Sequence, residues 1–109
     1  MALVYVTQIP ARRVNDAWVP TIDLTPAREW GDLNVLLPSG LNHPDMAQLR
    51  GLLRTSLAPY KPSDDFLLPL GDPAVQALAC AILAARFGGF RMLRWDRRRE
   101  RYFDFEIQA

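Results

Sequence analysis

The sequence contains few of the residues that build covalent cross-links and metal sites. Its 109 residues include one cysteine, Cys80, and one histidine, His43. An internal disulfide is therefore excluded, and a zinc site of the usual ligand number is not expected. Cys80 lies in an apolar stretch and is predicted to be an inert core thiol. His43 has no visible nucleophile or orienting partner, so we predict no catalytic residue, no metal and no cofactor.

Long apolar runs and a strong charge of one sign are also missing. No run is long enough to span a bilayer, and the stretch MALVYVTQIP lacks the pattern of a signal peptide. We therefore expect no membrane association and a cytoplasmic location, or packaging from the cytoplasm. The net charge of +1 argues against a dedicated binder of polyanions.

The chain does have enough apolar side chain for one compact domain. Hydrophobic residues make up 50% of it and charged residues 23%, so disorder is not expected. No repeat, low-complexity tract or linker marks a boundary. Residues 1–109 are predicted to form a single domain.

Strand signals dominate the first third of the chain. Residues 3–9 are apolar enough for a strand inside a sheet. The stretch WVPTIDL, whose Pro20 lacks an N–H, is predicted to return antiparallel beside that strand at an edge. Thr25 is predicted to cap a helical turn that ends at Gly31. A short strand is predicted at residues 34–37.

Two helices are predicted next. The first should begin at Pro44, with Asn42 or His43 as its N-cap. After a strand over residues 66–70, Asp72 should cap a second helix that starts at Pro73 and closes on Gly88-Gly89. Its interior, VQALACAILAAR, is apolar on nearly every side, so we expect two covering layers or a neighbouring subunit.

Together these elements predict an α/β fold. The strand–helix–strand–helix–strand order over residues 34–95 implies a parallel βαβαβ core. We predict a mixed sheet of about five to six strands, two main helices and a β-hairpin at each end.

The stretch FRMLRWDRRRERYFDFEI places six arginines among five aromatic rings. Its alternation predicts a hairpin that sets Phe90 opposite Ile107 and Trp95 opposite Tyr102, with a loop over residues 97–100. Phe103 is predicted to face the core together with Phe105 and Ile107, and Tyr102 to face outward with the charges. In the same register Arg91 should pair with Glu106, and Asp96 with Arg101.

Two interpretations of this hairpin remain open. The first is a solvated charged face whose cross-strand pairs set the register. The second is a nucleic-acid-binding surface in which Trp95 and Tyr102 stack on bases beside Arg94, Arg98 and Arg99.

A weaker candidate site lies at Gly71 and Asp72. They follow a predicted parallel strand and open a helix, where α/β proteins hold phosphates, so an anion site of a nucleotide-handling enzyme is conceivable. A capping Asp72 would compete with an anion, and one glycine is not a glycine-rich loop, so capping is favoured. The aspartates at 23, 32, 64 and 65 are predicted to flank turns rather than to bind magnesium.

The three tryptophans, Trp18, Trp30 and Trp95, are candidates for a protein interface. Tryptophan and arginine are the residues that interfaces favour. With the apolar second helix and the small net charge, they predict a protein that binds itself, as a homo-oligomer, or another protein.

One layout is made up by two stretches read together, WVPTIDLTPAREWGDLNVLLPSG and DDFLLPLGDPAVQALACAILAARFGGFRMLRWDRRRERYFDFEI. They carry a VLLP strand, a GDP turn into an alanine-rich helix and a final L-x-W-D-[KR] hairpin. This layout resembles that of small proteins encoded by tailed bacteriophages. The resemblance implies a viral setting and no assigned activity, and it transfers no functional residue.

These observations rank three functions. The first is a non-enzymatic interaction module that self-associates or binds a host or virion protein, in the host cytoplasm or packaged in a virion. The second is nucleic-acid binding through the C-terminal hairpin. The third is a nucleotide-handling enzyme at Gly71-Asp72.

Overall fold

The computed structural model describes residues 2–40 and 45–109. Its strands are β1 (Leu3–Gln8), β2 (Ala11–Val14), β3 (Ala17–Pro20), β4 (Asp32–Leu37), β5 (Phe66–Leu68), β6 (Gly89–Asp96) and β7 (Arg101–Gln108). Its helices are a 3₁₀ helix (Thr25–Trp30), α1 (Met46–Ser56) and α2 (Pro73–Phe87).

The main sheet has five strands in the order β4-β1-β5-β6-β7. The first four run parallel, and β7 returns antiparallel beside β6. This arrangement confirms the predicted α/β fold, with its mixed sheet, its parallel core and a hairpin near each end. β1 lies inside the sheet as predicted, between β4 and β5.

The predicted antiparallel pairing of WVPTIDL with the first strand is wrong. Parallel strands occupy both edges of β1, so the returning chain has no edge left to join. β3 pairs instead with β2 in a separate two-stranded sheet, in which Arg13 lies opposite Trp18. The turn residues Asn15 and Asp16 have φ angles of 49° and 65°, which suit a tight hairpin.

Helix ends follow local capping rules, with one correction. The Asp72 side chain accepts the Ala74 N–H, and Gly88 closes α2 in the left-handed region at φ 74°, both as predicted. Thr25 is not an N-cap, because it lies inside the 3₁₀ helix and donates its N–H to Asp23.

α1 begins at Met46 and is capped by Asp45, whose side chain accepts two N–H groups. The predicted start at Pro44, with its cap at Asn42 or His43, lies outside the described residues.

The sheet separates two cores. On one face α1 and α2 cover side chains such as Tyr5, Leu67 and Phe90. On the other face the 3₁₀ helix and its flanking chain cover Val4, Val6, Phe66, Leu68, Leu93 and Tyr102. The second face has less helical cover than the first: one 3₁₀ helix packs on it, whereas two α-helices pack on the first face.

The apolar character of α2 has a simpler basis than two covering layers. Its large side chains are buried against the sheet and α1, whereas its fully exposed apolar positions are alanines, at 74, 77, 81 and 85. Alanine is apolar yet adds little exposed surface, which is why the sequence pattern looked hydrophobic all round.

Candidate functional site

An apolar cleft of about 860 Å³ opens at the carboxyl end of β5 and β6. It is lined by Ile22, Asp23, Pro26, Leu68, Pro69, Leu70, Met92, Leu93, Arg94, Trp95, Tyr102 and Phe105. Two of these twelve side chains, Asp23 and Arg94, carry a charge. The cleft is therefore suited to apolar side chains rather than to a highly charged ligand.

The cleft exists because β5 ends early and turns away from β6. The Leu70 N–H donates to the Thr7 hydroxyl at 2.7 Å, and that hydroxyl in turn donates to the Leu70 carbonyl oxygen. The Asp72 N–H donates to the Gln8 side chain at 3.2 Å. Pro69 has no N–H to offer β6. These contacts hold the chain after β5 against β1 and leave a gap beside β6.

One wall of the cleft comes from the segment that leads into the 3₁₀ helix. The Thr25 N–H donates to the Asp23 carboxylate at 2.9 Å, and the hydrogen bonds from Thr25 lower the pKa of Asp23. Burial, together with the negative charge of Asp23, raises the pKa of Tyr102 above its ordinary value. The cleft thus has an ionised carboxylate and a protonated phenol among its polar groups at neutral pH.

The hairpin beside the cleft has the predicted register. Phe90 lies opposite Ile107 and Trp95 opposite Tyr102, which confirms the alignment. The assignment of faces is partly wrong: Tyr102 is 4% exposed, whereas Phe103 is 39% exposed. Trp30 covers the Tyr102 side, while the helical layer packs against the other side near Ile107.

The predicted cross-strand ion pairs do not form. Arg101 lies opposite Asp96 in the register, but its guanidinium contacts Glu29 at 2.9 Å. Asp96 instead lies 3.9 Å from Arg99 and accepts two backbone N–H groups of the turn. The Asp96 carboxylate binds the turn and therefore does not pair with Arg101 on the neighbouring strand.

Arg91 also departs from its predicted partner. It lies opposite Glu106, yet its guanidinium sits over the Phe66 ring at 4.3 Å and donates to the Ser63 carbonyl oxygen at 2.8 Å. Arg91 is thus bound by its neighbours on the β5 side and is unavailable to a ligand.

Three arginines of the hairpin remain available. Arg94, Arg97 and Arg98 are exposed, and within the described chain their guanidinium groups take part in no ion pair. Arg94 lines the cleft, and the other two lie in the turn between β6 and β7. We call these three residues the arginine rim.

The tryptophans predicted as interface residues lie in different places. Trp95 is 40% exposed at the cleft, and Trp18 is 46% exposed on the β2–β3 hairpin, where its ring lies against Gly40. Trp30 is half-buried and donates its indole N–H to the Tyr102 carbonyl oxygen at 3.2 Å. The structure brings Trp30 and Trp95 close to one hairpin and leaves Trp18 apart, and the interface role stays a prediction.

The predicted nucleic-acid set is brought together on one hairpin, but its two rings are not equally open. The Trp95 and Tyr102 rings meet edge to face, with centroids 5.0 Å apart at 65°. Tyr102 is buried in the cleft wall, so Trp95 alone of this pair presents an open face for stacking. Arg94 and Arg98 are free, whereas Arg99 contacts Asp96.

Gly71 and Asp72 line a second, smaller hollow of about 450 Å³. It lies where the segments after β1 and β5 depart to opposite faces of the sheet, a position that often binds ligands in α/β proteins. Its N–H groups are already used, however, by the Gln8 side chain and by Asp72 itself as the α2 cap. Among the residues that the structure describes, no basic side chain lines this hollow, so its contacts favour capping over anion binding.

Among the remaining candidate side chains, Asp65 has a structural role. Asp65 is buried, and its carboxylate accepts the N–H groups of Leu3 and Lys61. Burial raises the pKa of the Cys80 thiol. His43 lies outside the described residues. Within the described ranges, no three His, Cys, Asp or Glu side chains gather in a way that could hold a metal ion.

The fold and the cleft define a small α/β domain with an open apolar groove beside an arginine-rich turn. The chain belongs to the family described as Phage Pam3 gp32-like protein, whose model matches residues 2–109. The predicted relation to small phage proteins is thereby confirmed, and the family description names no activity. Comparisons with curated proteins and with solved structures find no match. No helix in the described part of the chain is long and apolar enough to cross a membrane.

Proposed function

We propose that this phage protein is a non-enzymatic interaction module that binds another protein, of the host or of the virion, through the cleft beside Trp95. The observation that carries the proposal is the open apolar cleft itself. An apolar cavity of about 860 Å³ flanked by an exposed tryptophan is costly to leave in water unless a partner covers it.

The composition of the surface supports the same proposal. Trp95 and Arg94 are consecutive residues of β6 that both line the cleft, and tryptophan and arginine are among the residue types that most often dominate binding energy at protein interfaces. The charged turn above the cleft would form the polar edge of such an interface.

A binding experiment with matched tryptophan variants tests this function. The full chain, Trp95→Ala and Trp18→Ala are immobilised and exposed to purified virions and to host lysate. Both tryptophans are exposed to a similar degree, 40% and 46%, so nonspecific adhesion should fall equally in the two variants. We expect the specific partner to be retained by the wild type and Trp18→Ala, and lost by Trp95→Ala. Equal binding by all three, or equal loss in both variants, would contradict the proposal.

Self-association is distinguished by sedimentation velocity over a wide range of protein concentration. A dimer that Trp95→Ala dissociates would mean that a second copy of the chain occupies the cleft. A monomer at all concentrations would leave the partner to be another protein.

Nucleic-acid binding is the second candidate function, and the free Arg98 and Arg97 side chains favour it. It predicts an affinity for single-stranded DNA that falls steeply with salt and is weakened when Arg98 and Arg99 are replaced by alanine. Unchanged affinity in that double variant would discard it.

A further inference from the structure

We propose that the cleft binds an extended, acidic segment of the partner protein as an added strand beside β6. This inference rests on the protein-binding function proposed above and specifies its ligand. It combines a free strand edge, apolar walls and an unpaired arginine rim.

The free strand edge comes first. β5 and β6 pair at a single position, Leu67 with Met92, whereas β6 continues to Asp96. Beyond Leu93, as far as Asp96, β6 has β7 on one side and, within the described chain, no strand on the other. An extended peptide can add to such an edge through main-chain hydrogen bonds. The segment would occupy the place that β5 leaves when it turns toward Thr7.

Each of the two walls of the cleft can contact the side chains on one face of such a segment. Side chains along a strand point to opposite faces in turn. On one face an inserted side chain would contact Leu93, Leu68 and Tyr102, which belong to the same buried cluster. On the opposite face Met92 and Phe105 offer a second apolar contact. Apolar residues at adjacent positions of the segment therefore match the two faces of the site.

The arginine rim favours a segment that carries negative charge. Arg94, Arg97 and Arg98 lie along and just beyond the free edge and have no carboxylate partner in the described ranges. Asp23 is the cleft's own carboxylate, on the opposite wall. An acidic residue next to an apolar one in the bound segment would lie beside the arginine rim and would complement the positive charge of the rim.

A single nucleic-acid strand fits this geometry less well. Base stacking uses open ring faces, and Tyr102 contributes a wall of the cleft rather than an open face. The net charge of +1 also gives weak overall attraction for phosphates.

A selection of random linear peptides on the full-length protein tests the inference. The bound peptides are resynthesised with N-methyl groups on alternate backbone amides, in both possible phases. In a strand, one phase faces β6 and the other faces away. We expect one phase to weaken binding by about tenfold or more, because two or more hydrogen bonds are lost, and the other phase to have little effect. We also expect the selected sequences to combine adjacent apolar residues with Asp or Glu at the positions that lie beside the arginine rim.

Charge variants provide the matched control. Arg94→Gln should weaken the peptide about three- to fivefold, whereas Arg50→Gln, an exposed arginine on α1, should not. Equal unfolding midpoints of the two variants would exclude a folding defect.

Peptides that need Trp95 but tolerate both methylation phases would overturn strand addition and leave the proposed function intact. A selection that yields no Trp95-dependent peptide would overturn the inference. Binding of single-stranded DNA to the same surface, in place of any peptide, would overturn it in favour of the nucleic-acid function.

Discussion

Replacing Thr7 by valine removes the hydroxyl that anchors the chain after β5. Thr7 is fully buried, and valine keeps its shape, so the change deletes two hydrogen bonds to Leu70 without opening a cavity. Each backbone group left without a partner costs about 1–3 kcal/mol when it is buried. Leu70 is half-buried, so water can partly replace the hydroxyl, and we expect a loss of about 2 kcal/mol in unfolding free energy.

Urea unfolding, followed by circular dichroism, measures this loss. Thr21→Val is the matched control, because its hydroxyl makes an exposed hydrogen bond to Pro10 at 3.2 Å and should contribute less than about 0.5 kcal/mol. A Thr7→Val protein as stable as the control would refute the anchoring role. A selected peptide should also bind Thr7→Val more weakly, since the freed chain can move toward β6 and narrow the cleft.

Two further predictions concern the cap of α2 and a buried phenol. Asp72→Ala should lower the unfolding free energy by about 1 kcal/mol, because the N-cap of α2 is lost. Asp64 is an exposed loop residue, so Asp64→Ala should not lower it. Equal effects of the two substitutions in urea unfolding would contradict the capping role. Burial raises the pKa of Tyr60 from 10.0 to about 12, so folding favours the protonated phenol. The contribution of Tyr60 to the unfolding free energy should therefore be fully present below pH 10 and be lost as the pH rises toward 12. In Tyr60→Phe the unfolding free energy should fall less steeply over this range. Identical slopes in the two proteins would contradict this account.

The parts of the fold that depend on near neighbours in sequence were predictable. Asp72, Pro73 and Gly88 mark the ends of α2 because a cap and a left-handed stop act over one turn. The β6–β7 register followed from alternation on both sides of a short turn. Asn15 and Asp16 also carried a local hairpin signal, which the strand-like pattern of WVPTIDL obscured.

The parts that depend on distant contacts were not predictable. Whether Tyr102 or Phe103 is covered depends on Trp30, more than 70 residues earlier in the chain. The cleft depends on Thr7 holding Leu70, with a sequence separation of 63. Alternation alone cannot tell which layer reaches a given residue, or where a strand loses its neighbour.

The central claim is that the edge of β6 beyond Leu93 is open on the cleft side. Amide hydrogen exchange of the free protein, resolved by residue, tests it most directly. The Arg94 and Asp96 amides should exchange slowly because they point to β7, and the Trp95 amide between them should exchange quickly because it points into the cleft. Slow exchange at the Trp95 amide would show that the edge is already paired and would contradict the account.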